Sequence, residues 1–384
     1  MSGVAIVGIR CVGFRSTIPE LSYKELMYEA ATKAYEDAGV NPRSDLDVFI
    51  TCAEDYLEGH SIFDEFVPDQ LGAALRHLFT VTGDGMLGLA TAYMLIKTGQ
   101  FDTAVVEAHS KASDILTYMD IVAFGLDPTL NRPLISHPYS VAGLEMQRYL
   151  HETHSTAEQC AQVVVKNKKN AINNPYAAYG SNVTVDQVMN SETYFHPLKK
   201  LEISTPADGA IVMVLASEKV AKKLSEKPIW IKGIGWCTET PSLETRDWTK
   251  AVYTRKAAET AYKQANIQIP WKEIDFAEIH DLFAYKELQH MEALKLCEFG
   301  EAGKLTEEGL TALNGELPVN PSGGLLGMGY GLEASGLQKT FEAVLQLRDE
   351  AGTRQIPNSE TGLVHAWRGI PTATGAVAVL SNCK

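Results

Sequence analysis

Two glycine-rich turns, one in each half of the 384 residues, constrain this chain more than any other feature. The first reads Thr82-Gly83-Asp84-Gly85-Met86-Leu87-Gly88, and the second Asn320-Pro321-Ser322-Gly323-Gly324-Leu325-Leu326-Gly327-Met328-Gly329-Tyr330. Each precedes a stretch with helical spacing, about 85–97 and 334–347. A helix start carries N–H groups without intrahelical partners at the positive end of its dipole, and it stabilises charge growing on a nearby oxygen. Two such starts meeting at one point make a site for carbonyl chemistry. The backbones of Gly83 and Gly85 in one turn and of Gly323 and Gly324 in the other are the expected donors. A threonine, Thr82, stands where this arrangement most naturally carries a thiol.

The segments around the turns repeat. Apolar runs at 4–9, 47–52, 102–108 and 208–215 read as strands of the first half, with a helix at about 22–39 that stops at Gly39. Runs at 229–234 and 275–280 are strands of the second half, with a helix at about 254–265. Ala34-Tyr35-Glu36-Asp37-Ala38-Gly39-Val40 precedes Asp47 much as Ala261-Tyr262-Lys263-Gln264-Ala265-Asn266-Ile267 precedes Asp275. Strand–helix–strand order met twice, with matching internal sequence, predicts a duplicated α/β fold of halves 1–225 and 226–384. Residues 110–197 are less regular and hold His137, Tyr139, Tyr149, His151, Tyr176, Tyr179 and Tyr194; they read as a long insertion of the first half that caps a site.

Composition narrows the functional class. Hydrophobic residues at 45% and charged ones at 21% exclude a disordered chain, and a net charge of −14 argues against a nucleic-acid surface. Lys166, Lys168, Lys169, Lys199 and Lys200 are either a local anion patch or a solvated face. Six scattered cysteines fit reduced cytoplasmic thiols rather than disulfides or a zinc site, so no metal is expected. The chain opens directly on a strand-like run, and no apolar stretch reaches about 18 residues, so neither a signal peptide nor a membrane span is expected. His280 stands at a strand exit, where an imidazole can polarise a carbonyl, and Tyr330 follows the second turn, where a phenol can donate to an oxyanion or move a proton.

These motifs together resemble the thiolase superfamily, in particular its group containing the thiolase-like domain of sterol carrier protein X and many archaeal thiolases. The resemblance spans nearly the whole chain. It rests on Gly83-Asp84-Gly85-Met86, Pro197-Leu198-Lys199 with Asp208-Gly209-Ala210, His280-Asp281-Leu282-Phe283 with Glu287-Leu288, Asn320-Pro321-Ser322-Gly323-Gly324, and the closing Gly375-Ala376-Val377. It implies two βαβαβαββ halves layered α-β-α-β-α. It also implies a substrate that is a coenzyme A thioester, with no cofactor bound by the chain itself. The family's nucleophilic cysteine falls on Thr82, its second cysteine on Leu282 or near Gly369, and a family histidine on Tyr330, so only His280 remains of the usual set. Cysteine-lacking aldolases that shorten steroid acyl-CoA side chains also carry a tyrosine after the Gly-Gly turn, and this chain is similar to them at Tyr330 and in Gly369-Ile370-Pro371-Thr372. Thiolytic and retro-aldol cleavage both stay open, as does Cys52 as a replacement nucleophile. The other reading is a non-catalytic acyl-CoA-binding or scaffolding subunit. The resemblance further implies a homodimer and a small partner built from an OB-fold and a zinc ribbon.

Overall fold

The computed structural model describes residues 3–54, 62–134, 137–370 and 372–384. In chain order the elements that frame the molecule are β1 (Val4–Arg15), α1 (Tyr23–Ala38), β2 (Val48–Cys52), β3 (His77–Val81), α2 (Gly85–Lys97) and β4 (Thr103–Ser110). The insertion contributes α3 (Tyr118–Ala123), α4 (Tyr139–Thr153) and α5 (Ala157–Ala171). There follow β5 (Asp208–Ser217), β6 (Ile229–Thr238), α6 (Val252–Ala265), β7 (Phe276–Glu278), α7 (Ala284–Ala293), α8 (Gly324–Met328), α9 (Ser335–Leu347), β8 (Thr361–Gly369) and β9 (Ala373–Ser381).

The nine strands form one sheet in the order β3-β2-β4-β5-β1-β6-β9-β8-β7. Its two ends mirror each other. Within β2-β4-β5-β1 the pairings run parallel, antiparallel, antiparallel, and within β7-β8-β9-β6 they do the same. Even β3 has an echo, since Val319, just before the second glycine turn, bridges Ala277 of β7 in parallel. A short antiparallel pairing of Ala5 with Trp230 and Ile6 with Ile229 joins the ends.

Strand alternation then builds the layers. On β4, Ala104, Val106 and Ala108 face one core while Val105 faces another; on β9, Ala376, Ala378 and Leu380 part from Val377 and Val379 in the same way. The central core is shared by both ends of the sheet and holds α2 and α9; α1 covers one outer face and α6 with α7 the other. Helix α9 is buried along its whole length, including Lys339 and Glu342. This is the layered, duplicated α/β architecture that the resemblance implies.

The internal sequence repeat has a packing cause. A Cβ added to Gly8 on β1 would lie 2.6 Å from the Ala34 carbonyl oxygen and 2.6 Å from the Ala38 Cβ, and one added to Gly233 on β6 would lie 2.1 Å from the Ala261 carbonyl oxygen. Each half crosses its first strand with an alanine-bearing helix at a distance only glycine permits. Local signals behave as expected at α1, where Ser22 and Glu25 form a capping box and Gly39 closes the helix at φ 65°.

Three expectations change. The insertion is not irregular: α4 and α5 are helices of 15 residues each, α5 opened by a Thr156/Gln159 capping box. The run at 275–280 is a strand only to Glu278. The second glycine turn opens the short α8, not the long helix, and α9 begins at Ser335 after Tyr330 and a single 3-10 turn. The short apolar segment Leu325–Met328 shows the same spacing as a longer helix start, which is why sequence alone merges the two. Among the described residues no helix is long and apolar enough to cross a membrane.

Helices α2 and α9 meet where a Cβ on Gly336 would stand 2.0 Å from Asp84 Oδ1 and 2.4 Å from Met86 Cγ. Gly336→Ala is therefore expected to lower stability in urea denaturation by about 1–3 kcal/mol through overpacking, and an unchanged midpoint would contradict this close crossing.

Candidate active site

His280 lies two residues past β7, and its position is set by its neighbour. The Asp281 carboxylate accepts from the Leu325 N–H at 2.6 Å, the Leu326 N–H at 3.3 Å, Asn167 Nδ2 at 2.8 Å and Lys339 Nζ at 3.4 Å. Nearby, Asn320 Oδ1 accepts from the Ile279 N–H, and the Ser322 hydroxyl and amide both bond Glu278. The loop carrying His280 is thus tied to the second glycine turn, to the insertion through α5, and to α9. Tyr330 is clamped by its backbone, donating to Thr205 O at 2.8 Å and accepting from the Ala207 N–H at 3.0 Å.

These ties bring three rings together. The His280 and Tyr330 centroids are 6.1 Å apart with planes at 77°, and His280 and Trp367 are 5.8 Å apart at 87°. His280 is buried, and neither ring nitrogen has a partner. Burial drives its pKa well below the ordinary imidazole range, with Lys339, His365 and Lys286 adding to the effect, so the ring is neutral at physiological pH. Burial pushes the Tyr330 phenol well up; it keeps its proton and shares a hydrogen bond with Tyr118 of α3.

Tyr330 and Trp367 line a cavity of about 330 Å³. Tyr118, Ile121, Val122 and Phe124 come from the insertion, Asp84 and Glu54 from the first half, and Glu333, Arg368, Gly369, Ile370 and Thr372 from the second. The insertion does cap the cavity, through α3 rather than through the tyrosines and histidines that stand out in the sequence. Pro371 lies outside the described residues.

The glycine turns act differently from expectation. The Asp84 carboxylate takes the Met86 N–H at 2.8 Å and the Gly336 N–H at 3.0 Å, so the starts of α2 and α9 do converge, but on a protein carboxylate. Burial pushes that carboxyl up to about 7 against the pull of the two N–H groups. The Gly323 N–H bonds Asn320 O, the Gly324 N–H bonds Ser322 Oγ, and the next two amides bond Asp281. They are not free donors. Gly85 is buried against Leu337 of α9 and Gly83 stands near Arg368, while Thr82 is exposed and outside the cavity lining. Cys52 is buried in the central core, its thiol pushed well up by burial, and is an inert packing residue. Lys166 belongs to a buried pair with Glu287 rather than to an anion patch.

Sequence reasoning missed Asp84, Tyr118, Trp367 and the polar floor beneath them. His290 Nδ1 bonds the His280 carbonyl, its ring is 4.4 Å from His365, and Lys286 Nζ sits 4.3 Å over the Trp367 ring while pairing with Glu145 at 2.7 Å. One signal was available for Asp84: an acidic residue one place before a helix start is a strong N-cap.

Comparison with known proteins identifies the fold family. Residues 236–382 match the family model "Thiolase C-terminal domain-like". Over 390 residues, all of both chains, the sequence is 32% identical to an acetyl-CoA acetyltransferase of Methanothermobacter thermautotrophicus. The chain belongs to the thiolase superfamily. Thiolase relatives include sterol carrier protein 2 of Bos taurus, 31% identical across 94% of this chain and 69% of its own. The solved structure titled "Ltp2-ChsH2(DUF35) aldolase" superposes on this thiolase-superfamily chain with a TM-score of 0.85, at 25% identity, covering 100% of this chain and 98% of its own.

Because the Asp84 carboxyl is raised, the folded protein holds a proton between about pH 4 and pH 7 that the unfolded chain releases, so this group's contribution to stability falls as pH rises through that window. In urea titrations the stability of wild type relative to Asp84→Asn should decline by up to about 4 kcal/mol from pH 4 to pH 7. A difference that grows with pH would mean the carboxyl is not raised.

Proposed function

We propose that this chain is an enzyme that makes or breaks a carbon–carbon bond beside the thioester of an acyl-CoA, without a covalent acyl-enzyme. The observation that carries the reading is the contact of neutral, buried His280, itself behind the cavity wall, with the rings of protonated Tyr330 and Trp367, which line a cavity whose described lining holds no cysteine. In the retro-aldol direction the β-hydroxyl loses its proton, a β-carbonyl forms as the Cα–Cβ bond breaks, and the electron pair passes to the thioester enolate. His280 donates to that enolate oxygen. Tyr330, backed by Tyr118, handles the proton on the β-oxygen, and Asp84, near 7, exchanges it with the cavity at neutral pH. Thiolytic cleavage uses the same oxygen site with free coenzyme A as the attacking group.

The site draws on both halves, which we divide at about 225/226. The names of the relatives, an acetyl-CoA acetyltransferase and an aldolase, support an acyl-CoA substrate of this class. The paired name of the Ltp2-ChsH2(DUF35) neighbour supports a small partner subunit, for which we retain the OB-fold and zinc-ribbon type. Strand β3 ends the sheet with its residues partly exposed, an open edge that a second copy would cover. Sedimentation is accordingly expected to give twice the 42.0 kDa chain mass; a monomer at micromolar concentration would remove the dimer from this reading.

The activity test uses purified protein, with and without its small partner, on a 3-hydroxyacyl-CoA, and on a 3-oxoacyl-CoA with coenzyme A. Cleavage should fall at least about tenfold in Tyr330→Phe and in His280→Ala. Equal rates in both variants would refute their roles. Binding of acyl-CoA without turnover in any pairing would instead establish the non-catalytic subunit, the reading that the exposed Thr82 favours.

A further inference from the structure

Trp367 stands near the end of β8, next to the strand that delivers His280. It is 3% exposed, and its Nε1–H has no acceptor. A buried donor left unpaired costs about 1–3 kcal/mol, and a buried indole N–H ordinarily finds a partner. His280 has the same defect on both ring nitrogens. Two unpaired buried groups on rings 5.8 Å apart are what a site looks like when its hydrogen-bond partner arrives with the ligand.

The indole is held rigidly. Lys286 Nζ lies 4.3 Å over its face and is itself bonded to Glu145 and Gln289, Tyr253 stacks at 17°, and His290 packs 5.6 Å away. A cation on the π face draws electron density from the ring and makes the N–H a stronger donor. A Cβ on Gly369 would lie 2.7 Å from Nε1 and 1.9 Å from Cζ2, so the nitrogen edge packs on backbone that forms the cavity wall.

We propose that the Trp367 Nε1–H is a second donor to the substrate's thioester oxygen, beside His280. This rests on the acyl-CoA reading above and adds a catalytic residue to it. The oxyanion site is then built from two ring N–H groups, an arrangement consistent with the Leu325 and Leu326 amides being taken by Asp281 and the Met86 amide by Asp84. The step itself is unchanged: as the Cα–Cβ pair moves onto the thioester oxygen, that oxygen gains charge and both donors tighten on it.

The chain has five tryptophans, so ¹⁵N-indole labelling yields a spectrum that can be assigned by substitution at Trp230, Trp236, Trp248 and Trp271. The probe is acetonyl-CoA, a ketone that keeps the carbonyl oxygen and cannot be cleaved as a thioester. The Trp367 indole proton should move downfield on saturation. Trp367→Phe, which keeps an aromatic ring at the position and removes the donor together with the second ring, should lower kcat for C–C cleavage at least about tenfold with little change in KM. If acetonyl-CoA binds by calorimetry while the Trp367 signal stays in place, the indole is no donor and this inference alone falls. A folded Trp367→Phe with unaltered kcat has the same meaning. If neither acetonyl-CoA nor any acyl-CoA binds, the functional reading falls with it. Should Trp367→Phe fail to fold, the wild-type spectrum still decides.

Discussion

The site depends on one buried carboxylate, that of Asp281. It gathers two backbone amides of the second glycine turn, an amide side chain from the insertion and a lysine from the central helix. Those donors lie on three different parts of the fold, so one side chain sets the distances among the loop of His280, the segment leading to Tyr330 and the helix beneath both. A buried acceptor with several donors is costly to break, since removing one member strands the others without water. The pairing of Glu278 with Ser322 and of Glu287 with Lys166 and Asn320 extends the same principle outward. The His-Asp motif is therefore a division of labour: the aspartate is structural, and the histidine is left unbonded.

A second carboxylate changes what the doubled fold offers. Two helix starts from the two halves converge, as an anion-binding site requires, yet Asp84 fills the point where they meet. The positive ends of α2 and α9 are spent on an internal anion, and that anion is only half held at neutral pH because burial opposes it. Under the proposed function, charge stabilisation passes from backbone amides to rings, and proton traffic from thiols to phenols and a carboxyl. The exposed Thr82 and the buried, inert Cys52 belong to the same shift.

Much of this was legible beforehand. The capping box at Ser22, the stop at Gly39 and the helical spacing of α2 and α6 are local, so short windows of sequence carry them. The repeated Ala34–Ala38 and Ala261–Ala265 patterns reveal the duplication because each helix must cross a glycine of its own first strand. The pairing of His280 with Tyr330 followed from their places after a strand and after a turn. The role of Asp84 was not legible, because it needs Gly336, 252 residues away, to complete it. Trp367 reads as a core aromatic until its unpaired N–H is seen beside His280.

The sequence by itself determined the α/β periodicity, the two copies and the residue types at the strand ends, since these depend on spacing and on near neighbours. Only the tertiary structure decided which donors are left over, because Asp281 reaches the Leu325 and Leu326 amides, and Asp84 the Gly336 amide, across long stretches of sequence. The acceptors won at Asp84 and Asp281, and the unbonded donors were left on the imidazole and the indole.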